Sequence, residues 1–243
     1  EPGLTHIKES LASGRHIVTT NKGPIAVAYH ELKQLADAHH VFLRFEGTVL
    51  SGTPALNLGL EDLAGLDIAS VRGIVNSTTN YVLTEMDRGR SYADALKEAQ
   101  RLGYAEADPT MDVEGWDAVA KIVILANTMM EANLKVTDVE RTGITGHTLE
   151  DVERAKLAGT KIKLIAQAWR KGGVVKAKVS PERMPLTDFL AHVDGTLNAL
   201  TFTTDGLGEV TIVGRGAGGI EAGHALLSDL IAINRYLSSR KGR

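Results

Sequence analysis

The chain has 243 residues, of which 43% are hydrophobic and 23% charged, with a formal net charge of -3 and no cysteine. This length suggests one large domain or two small ones, and the balanced charge gives no reason to expect nucleic acid or an anionic membrane as a partner. The lack of cysteine excludes disulfides, thiolate metal sites and a cysteine nucleophile. Neither a long apolar run nor a signal-peptide pattern occurs, so we expect a cytoplasmic protein without a membrane span.

The first 46 residues alternate between helical and strand patterns. We predict a helix at His6–Ser13 that ends at Gly14, a buried strand at His16–Thr20, a helix from Pro24 to about His39 and a strand at Val41–Glu46. Short loops between alternating helices and strands are typical of a piece of a parallel α/β sheet.

The rest of the chain predicts helices and paired antiparallel strands, which together form an α+β body. Thr148 and Asp151 resemble a capping box, and the turns RKGG and DGLG each separate two strands of a hairpin. The predicted helices are Ala55–Ala64, Asn76–Arg88, Ser91–Gly103, Thr148–Ala158 and Ile220–Leu237, and the predicted strands are Ser70–Val75, Lys161–Trp169, Val174–Val179, Leu197–Thr204 and Glu209–Val213.

The stretch GYAEADPTMDVEGWDAVAKIVILA, from Gly103 to Ala126, combines five carboxylates with one lysine. Asp117 and Lys121 are four residues apart and therefore share a face of a helix. The segment Ile122–Ala126 is apolar on every side, so this part of the helix must be buried all round. We therefore expect Lys121 in a half-buried position, where a lysine can donate or accept a proton.

An ordinary surface ion pair is the simpler interpretation of Asp117 and Lys121, and such a pair contributes only about 0.2–0.5 kcal/mol. A surface ion pair accounts for only part of this segment, because Glu106, Asp108 and Asp112 lie in a loop that leads to the same helix end. Crowded like charges are costly unless a cation neutralises them. The ammonium group of an amino-acid ligand is a natural candidate.

Three loops follow predicted strands, where open α/β sheets bind ligands. They contain Lys22, the small residues of GTVLSGTP after Glu46, and NSTTN at 76–80. Small residues let backbone approach a ligand, and free N–H groups at the start of a helix can hold an anion. A solvated lysine, a turn and a helix N-cap are the ordinary alternatives.

The late stretch GRGAGG, from Gly214 to Gly219, has the spacing of a dinucleotide-binding loop. That motif must open a βαβ unit, whereas here only one predicted helix follows. We interpret its glycines as letting the backbone pass close to a ligand that another segment binds. Neither the zinc motif HExxH nor the nucleophile motif GxSxG occurs.

Several segments together resemble the homoserine dehydrogenase family, and they occur in that family's order. They are TTNKGPIA, FEGTVLSGTP, VRGIVNSTTNYVL, GYAEADPTMDVEGWDAVAKIVILA, and GRGAGG before a helix that contains SDL. The resemblance covers essentially the whole chain, and the GYAEADPT…DAVAK block is highly specific. It implies an oxidoreductase that interconverts L-aspartate 4-semialdehyde and L-homoserine with NAD or NADP, on the branch to threonine, methionine and isoleucine. It also implies a homodimer or homotetramer.

The resemblance also implies a role for individual residues. Lys121 would donate and accept the proton at the reacting oxygen, and Lys22 would act beside the nicotinamide and the substrate. Glu106 and Asp117 would bind the substrate, including its amine. The other implied contacts are Gly103 and Gly216 to cofactor or substrate, Asp112 in the acid cluster at the substrate, and a monovalent cation, usually sodium, at Glu46 and the backbone of Val49, Ser51 and Thr53.

The implied fold joins a remnant of a Rossmann-type parallel sheet to an α+β catalytic and dimerisation domain with a mixed or antiparallel sheet. The remnant would be residues 1–44, with the C-terminal helix, 215–243, packing back on it, and the catalytic domain would be 45–214. The family's N-terminal glycine fingerprint does not occur, so we expect a truncated chain without appreciable hydride transfer of its own. Clear oxidation of homoserine by the purified 243-residue chain would contradict this.

Two alternatives to a homoserine dehydrogenase stay open. One is a non-catalytic module that binds an amino acid and dimerises, and the other is a dehydrogenase of another short amino-acid aldehyde. Calorimetry with homoserine and with NADP separates the module from the enzyme, because the module would bind homoserine without the cofactor.

Overall fold

A two-stranded parallel sheet and a six-stranded mixed sheet, both packed against helices, organise the chain. The structure is a computed structural model that describes residues 2–241, with only the backbone for residues 240 and 241. Glu1, Gly242 and Arg243, at the ends of the predicted ranges 1–44 and 215–243, lie outside the described residues. The arrangement confirms the predicted fold class of a small parallel sheet joined to an α+β body.

Most helices and strands lie where the sequence predicts them, with shifts at their ends. The helices are α1 (Pro2–Ala12), α2 (Lys22–Ala38), α3 (Ala55–Asn57), α4 (Ser77–Asp87), α5 (Tyr92–Arg101), α6 (Thr110–Val113), α7 (Trp116–Met129), α8 (Leu149–Leu157) and α9 (Gly219–Lys241), and the strands are β1 (Ile17–Val18), β2 (Leu43–Arg44), β3 (Ile68–Ile74), β4 (Glu140–Arg141), β5 (Thr160–Lys171), β6 (Val174–Pro185), β7 (Leu197–Thr204) and β8 (Gly208–Arg215).

The small sheet pairs β1 with β2 in parallel, with Ile17 opposite Leu43. Both strands are shorter than predicted, because the chain leaves the ladder after Arg44 and enters a 3-10 helix at Glu46–Thr48. β1 is half-buried rather than buried as predicted. Each strand of a two-stranded sheet is an edge, so neither reaches the burial of a central strand.

The large sheet has the strand order β4-β6-β5-β3-β7-β8. The predicted hairpin around RKGG is confirmed, and its turn uses Gly172 and Gly173 with φ of 60° and 81°, as a two-residue hairpin turn requires. The predicted pair around DGLG is also confirmed as β7 and β8. The sequence did not predict β4, which pairs in parallel with β6 and makes the sheet mixed.

Helices α4, α7 and α8 pack against one face of the large sheet. The segment Ile122–Ala126 of α7 is fully buried, as its apolar sequence predicts. One continuous cluster of buried hydrophobic side chains extends from Ile7 to Phe202, and α2 packs directly on α7. The division into residues 1–44 and 45–214 stays a prediction, and the core has no break at that boundary.

The predicted helix Ala55–Ala64 is wrong in its geometry. After the single turn of α3, residues Leu58–Asp62 form a π-helix, in which Leu63 N donates to Leu58 O at 2.9 Å. Gly59 lies within this segment, where glycine weakens a regular helix, and the Met129 side chain lies where a Cβ of Gly59 would point. None of the helices within residues 2–241 has both the length and the apolar character needed to span a membrane.

Candidate active site

An open cleft of about 400 Å³ lies where the small sheet meets the helical face of the large sheet. Its walls come from the start of α2, the 3-10 helix at 46–48, the N-terminus of α4, the start of α7 and the loop before α9. The cleft is also lined by seven residues that the sequence analysis singled out from distant segments. They are Lys22, Gly103, Glu106, Asp112, Asp117, Lys121 and Gly216.

Lys121 lies at the inner end of this cleft with only 12% of its side chain exposed. Its Nζ is 2.9 Å from Asp117 Oδ2 and donates to the carbonyl oxygen of Val75 at 2.7 Å. The half-buried position expected from the sequence is therefore correct. Two partners fix the ammonium group, and the third of its three N–H bonds is left for a ligand.

Asp117 is the buried centre of the charged group. Besides Lys121, it contacts Lys22, whose Nζ is 3.1 Å from Asp117 Oδ1. Burial alone raises the pKa of Asp117, but the ammonium groups of Lys121 and Lys22 act in the opposite direction and hold that pKa far below its ordinary value. The carboxylate therefore stays ionised and orients two lysines toward one point.

Asn76 joins the group, although the sequence analysis treated NSTTN only as an anion site or a helix N-cap. The side chain is the N-cap of α4, because Asn76 Oδ1 accepts from Thr79 N at 2.9 Å. Its Nδ2 donates to Asp117 Oδ2 and to Asp112 Oδ1. The cap motif was visible in the sequence, but the contact with two carboxylates depends on how α4 packs against α6 and α7.

The five carboxylates of residues 103–126 do not act as one cluster. Glu106 and Asp112 line the cleft with Asp117. Asp108 lies in an adjoining hollow and accepts from the N–H and the hydroxyl of Thr110, which lowers its pKa. Glu114 faces Arg141 and Thr145 on another surface. The expectation that the loop delivers Glu106, Asp108 and Asp112 to one helix end is therefore met by Glu106 and Asp112 and only partly by Asp108.

Two glycines give the cleft walls of bare backbone. Gly103 has a φ of 75°, and no atom lies within 4 Å of the position where a Cβ would stand. Gly216 is packed so closely that a Cβ would overlap Oδ1 of the buried Asn198. Ser51 N donates to Gly216 O at 3.1 Å, which fixes the GRGAGG loop against residues 46–53. The close approach seen at Gly216 is to Asn198, and the interpretation that these glycines also let the backbone pass close to a ligand stays a prediction.

The structure uses the Glu46 carboxylate as a helix cap. Its two oxygens accept from Leu56 N at 3.1 Å and Asn57 N at 2.7 Å, at the start of α3. Burial raises the pKa of Glu46 to about 7. Of the backbone carbonyls named with it, that of Thr53 accepts from Ala55 N. Within residues 2–241, no group of three or more histidine or acidic side chains is arranged to hold a metal ion.

Comparisons with known proteins agree with the resemblance. The family model "Homoserine dehydrogenase" matches residues 54–231. The homoserine dehydrogenase of Methanocaldococcus jannaschii is 48% identical over 242 residues, covering 99% of this chain and 70% of that protein. The NAD(+)-dependent homoserine dehydrogenase of Pseudomonas canavaninivorans is 46% identical, covering 99% of this chain and 69% of that protein.

Solved structures show the same likeness. A homoserine dehydrogenase from Thiobacillus denitrificans superposes with a TM-score of 0.95 at 36% identity, covering 98% of this chain and 56% of that one. A hyperthermophilic archaeal homoserine dehydrogenase in complex with NADPH gives a TM-score of 0.82 at 32% identity, covering 95% and 67%.

The family match and the shared fold define the class, an oxidoreductase of mixed α/β architecture. The chain belongs to the homoserine dehydrogenase family. It spans about 70% of the length of the two curated relatives above and little more than half of the Thiobacillus structure.

Proposed function

We propose that this chain carries the substrate site and the proton-transferring lysine of an NAD(P)-dependent homoserine dehydrogenase. The reaction interconverts L-aspartate 4-semialdehyde and L-homoserine, on the branch to threonine, methionine and isoleucine. The observation that carries the proposal is the group of Lys22, Asp117 and Lys121 at one end of an open cleft, in a chain of this family.

The acidic side chains suit the ammonium group of a small amino acid. Glu106 makes no side-chain hydrogen bond within the described part of the chain, so both of its oxygens are available. Asp112 uses only Oδ1, for Asn76, and keeps Oδ2 free among the described contacts. Asp117 is largely occupied by the lysines and Asn76. We therefore assign direct contact with the amine to Glu106 and Asp112, with Asp117 as the fixed charge behind them.

Lys121 is the proposed proton donor and acceptor. During reduction of the aldehyde, its free N–H gives a proton to the substrate oxygen as the carbonyl becomes an alcohol, and during oxidation the neutral amine takes the hydroxyl proton. Val75 O and Asp117 keep Nζ in one place through both directions. Because Lys121 is nearly enclosed, few water molecules compete for the same oxygen.

The bare backbone walls fit a flat nicotinamide ring, since a side chain at Gly103 would extend into open space beside the cleft and the backbone of Gly216 lines it directly. Lys22 stands at the mouth of the cleft, 40% exposed, where it would contact both ring and substrate. When bound, the nicotinamide ring would accept the hydride during oxidation and donate it during reduction. One relative is an NAD(+)-dependent homoserine dehydrogenase, and another was solved in complex with NADPH. Both support a nicotinamide cofactor for this chain, and they leave open the choice between NAD and NADP.

The proposal also includes a monovalent cation, such as sodium, at residues 46–53. Each Glu46 oxygen already accepts one backbone N–H at the start of α3, so the carboxylate is oriented toward that helix end rather than toward the carbonyls of residues 49–53. A cation would have to use backbone carbonyls, of which Val49 O and Ser51 O accept no hydrogen bond among the described residues. Replacing sodium by choline at constant ionic strength should lower the melting temperature, and an unchanged melting temperature would contradict the site.

We also propose that the chain forms at least a homodimer through the face of the large sheet opposite α4, α7 and α8. Val213 of the edge strand β8 is 39% exposed, and Phe189, in the 3-10 helix at Phe189–His192 that contacts β5 and β6, is 56% exposed. Exposed apolar side chains beside an unpaired strand edge are typical of a surface that another subunit covers.

The direct test is the enzyme expressed from its complete coding sequence and assayed for homoserine-dependent reduction of NAD and of NADP. We expect turnover with homoserine and at least one cofactor, and little with threonine, an isomer whose hydroxyl is on the β-carbon rather than the γ-carbon. Reduction of neither cofactor would defeat the proposal, and preference for another amino alcohol would replace the substrate.

A further inference from the structure

The amide of Asn76 occupies a position between two acids of the cleft that the proposed function leaves without a role. Its Nδ2 donates to Asp112 Oδ1 at 2.8 Å and to Asp117 Oδ2 at 2.9 Å. Its Oδ1 accepts from both the N–H and the hydroxyl of Thr79, each at 2.9 Å. Both amide hydrogens and both lone pairs are used, so these contacts fix the orientation of the amide.

The two acids differ in what else supports them. Asp117 has the ammonium groups of Lys22 and Lys121. Asp112 makes no ion pair within residues 2–241, and the Asn76 N–H is the hydrogen bond its carboxylate receives from a side chain there. Without a donor between them, two neighbouring carboxylates repel each other and one tends to take up a proton.

We infer that Asn76 is a positioning residue that holds the carboxylate of Asp112 at a fixed distance from that of Asp117, so that Asp112 is placed to receive the substrate ammonium group. The inference rests on the proposed function for its link to homoserine, but the contacts themselves do not. Asn76 is only 5% exposed and directs both of its N–H groups at the two acids, so we assign it an effect through them rather than contact with reacting atoms.

The charged groups around Asn76 set the expected pH behaviour. Asp112 approaches it from α6, Asp117 and Lys121 from α7, and Lys22 from α2, with Glu106 across the cleft. A neutral donor leaves this set at three acids and two lysines, whereas an acid at position 76 would add a fourth acid, placed within hydrogen-bonding distance of both Asp112 and Asp117.

Asn76→Asp separates the two roles of the side chain. Aspartate caps a helix about as well as asparagine and has nearly the same volume, so the bond to Thr79 N survives. Only the two donated hydrogen bonds are lost. If Asn76 serves merely as a cap, the variant should resemble the unaltered enzyme.

We expect Asn76→Asp to weaken homoserine binding roughly ten- to hundredfold, since hydrogen bonds to charged groups are of that size. The loss should fall on KM more than on kcat, because Lys121 is untouched. The acid limb of kcat/KM should move to higher pH, since one of three crowded carboxyls holds its proton longer. Stability should also fall relative to the unaltered protein as pH rises from about 5 to about 8, where that carboxyl must ionise.

Asn127→Asp is the matched control. Asn127 is a buried amide of α7 whose two ends bond Leu134, away from the cleft. Asn127→Asp should also lower the free energy of unfolding, but it should leave KM for homoserine and the acid limb of kcat/KM unchanged.

Unaltered homoserine affinity and an unaltered acid limb in Asn76→Asp would overturn the inference. If the parent enzyme itself fails to oxidise homoserine, the proposed function falls by that result alone. The stability profile then decides about Asn76, because a variant as stable as the parent protein at every pH would show that the two donated bonds position nothing.

Discussion

The ammonium group of Lys121 is held by one charged and one neutral oxygen, and this arrangement makes it more than a surface charge. Replacement by alanine removes the proton donor but leaves Glu106 and Asp112 to bind the amine. We expect Lys121→Ala to lower kcat by roughly a hundred- to ten-thousandfold with a modest change in KM, as for other positioned acid–base groups. Steady-state kinetics with homoserine measures both constants.

Lys33→Ala is the control for this substitution. Lys33 is an exposed lysine of α2 that pairs with Asp37 one turn along the same helix. Its loss should leave both constants within about twofold, since such surface pairs contribute little. Normal turnover in Lys121→Ala would remove the proton-transfer role.

Asp117 should make the protein's stability depend on acidity. Its folded-state pKa lies below the unfolded value, so its contribution is present above the ordinary pKa and is lost as pH falls through the folded pKa. At neutral pH, Asp117→Asn should cost about 3–5 kcal/mol, because two lysines lose their buried partner. The difference from the parent protein should shrink once pH falls below about 4. Denaturant titrations across this range measure it, and a pH-independent difference would contradict the account.

At the scale of elements, the loop before α9 depends on glycine at one position. A side chain at Gly216 would overlap Asn198, which also accepts a hydrogen bond from Ser77 at the start of α4. We expect Gly216→Ala to lower the free energy of unfolding by about 1–3 kcal/mol, as overpacking does elsewhere. Urea unfolding midpoints measure the loss.

The same chain offers a glycine with the opposite expectation. Gly223 lies inside α9 with no atom within 4 Å of a Cβ position. Gly223→Ala should therefore raise stability by up to about 1 kcal/mol, because alanine favours a helix. Equal effects of the two substitutions would show that close packing at Gly216 is unimportant.

Helices and turns that carry a capping or turn motif in their own sequence are predicted well. The capping box of α8 forms as expected, with Asp151 N donating to Thr148 Oγ1 and Thr148 N donating to Asp151 Oδ2. The glycines of the β5–β6 turn take the positive φ that such hairpins need. The π-helix after α3 was missed, because its widened turn has no residue spacing that separates it from an α-helix.

For the whole molecule, we predict assembly through the face of the large sheet opposite α4, α7 and α8. Phe189→Asp combined with Val213→Asp should lower the mass measured by light scattering toward that of a monomer, because charges would be buried in the contact. Leu157→Asp is the control, since Leu157 is 89% exposed at the end of α8, on the helical side. A monomeric parent protein, or a dimer indifferent to the double substitution, would contradict this surface.

Features that depend on residues close together in the chain can be predicted from the amino-acid sequence. They are the amphipathic helices, the caps and hairpin turns, the shared face of Asp117 and Lys121, and the motif block that places the chain in its family. The tertiary structure alone decided which polar groups meet. It brought Lys22 and Asn76 onto Asp117, turned Glu114 away from the cleft and assigned the Glu46 carboxylate to a helix end. Spacing fixes contacts within one element, whereas these contacts join segments far apart in the chain, and the packing of α2, α4 and α7 sets their distances.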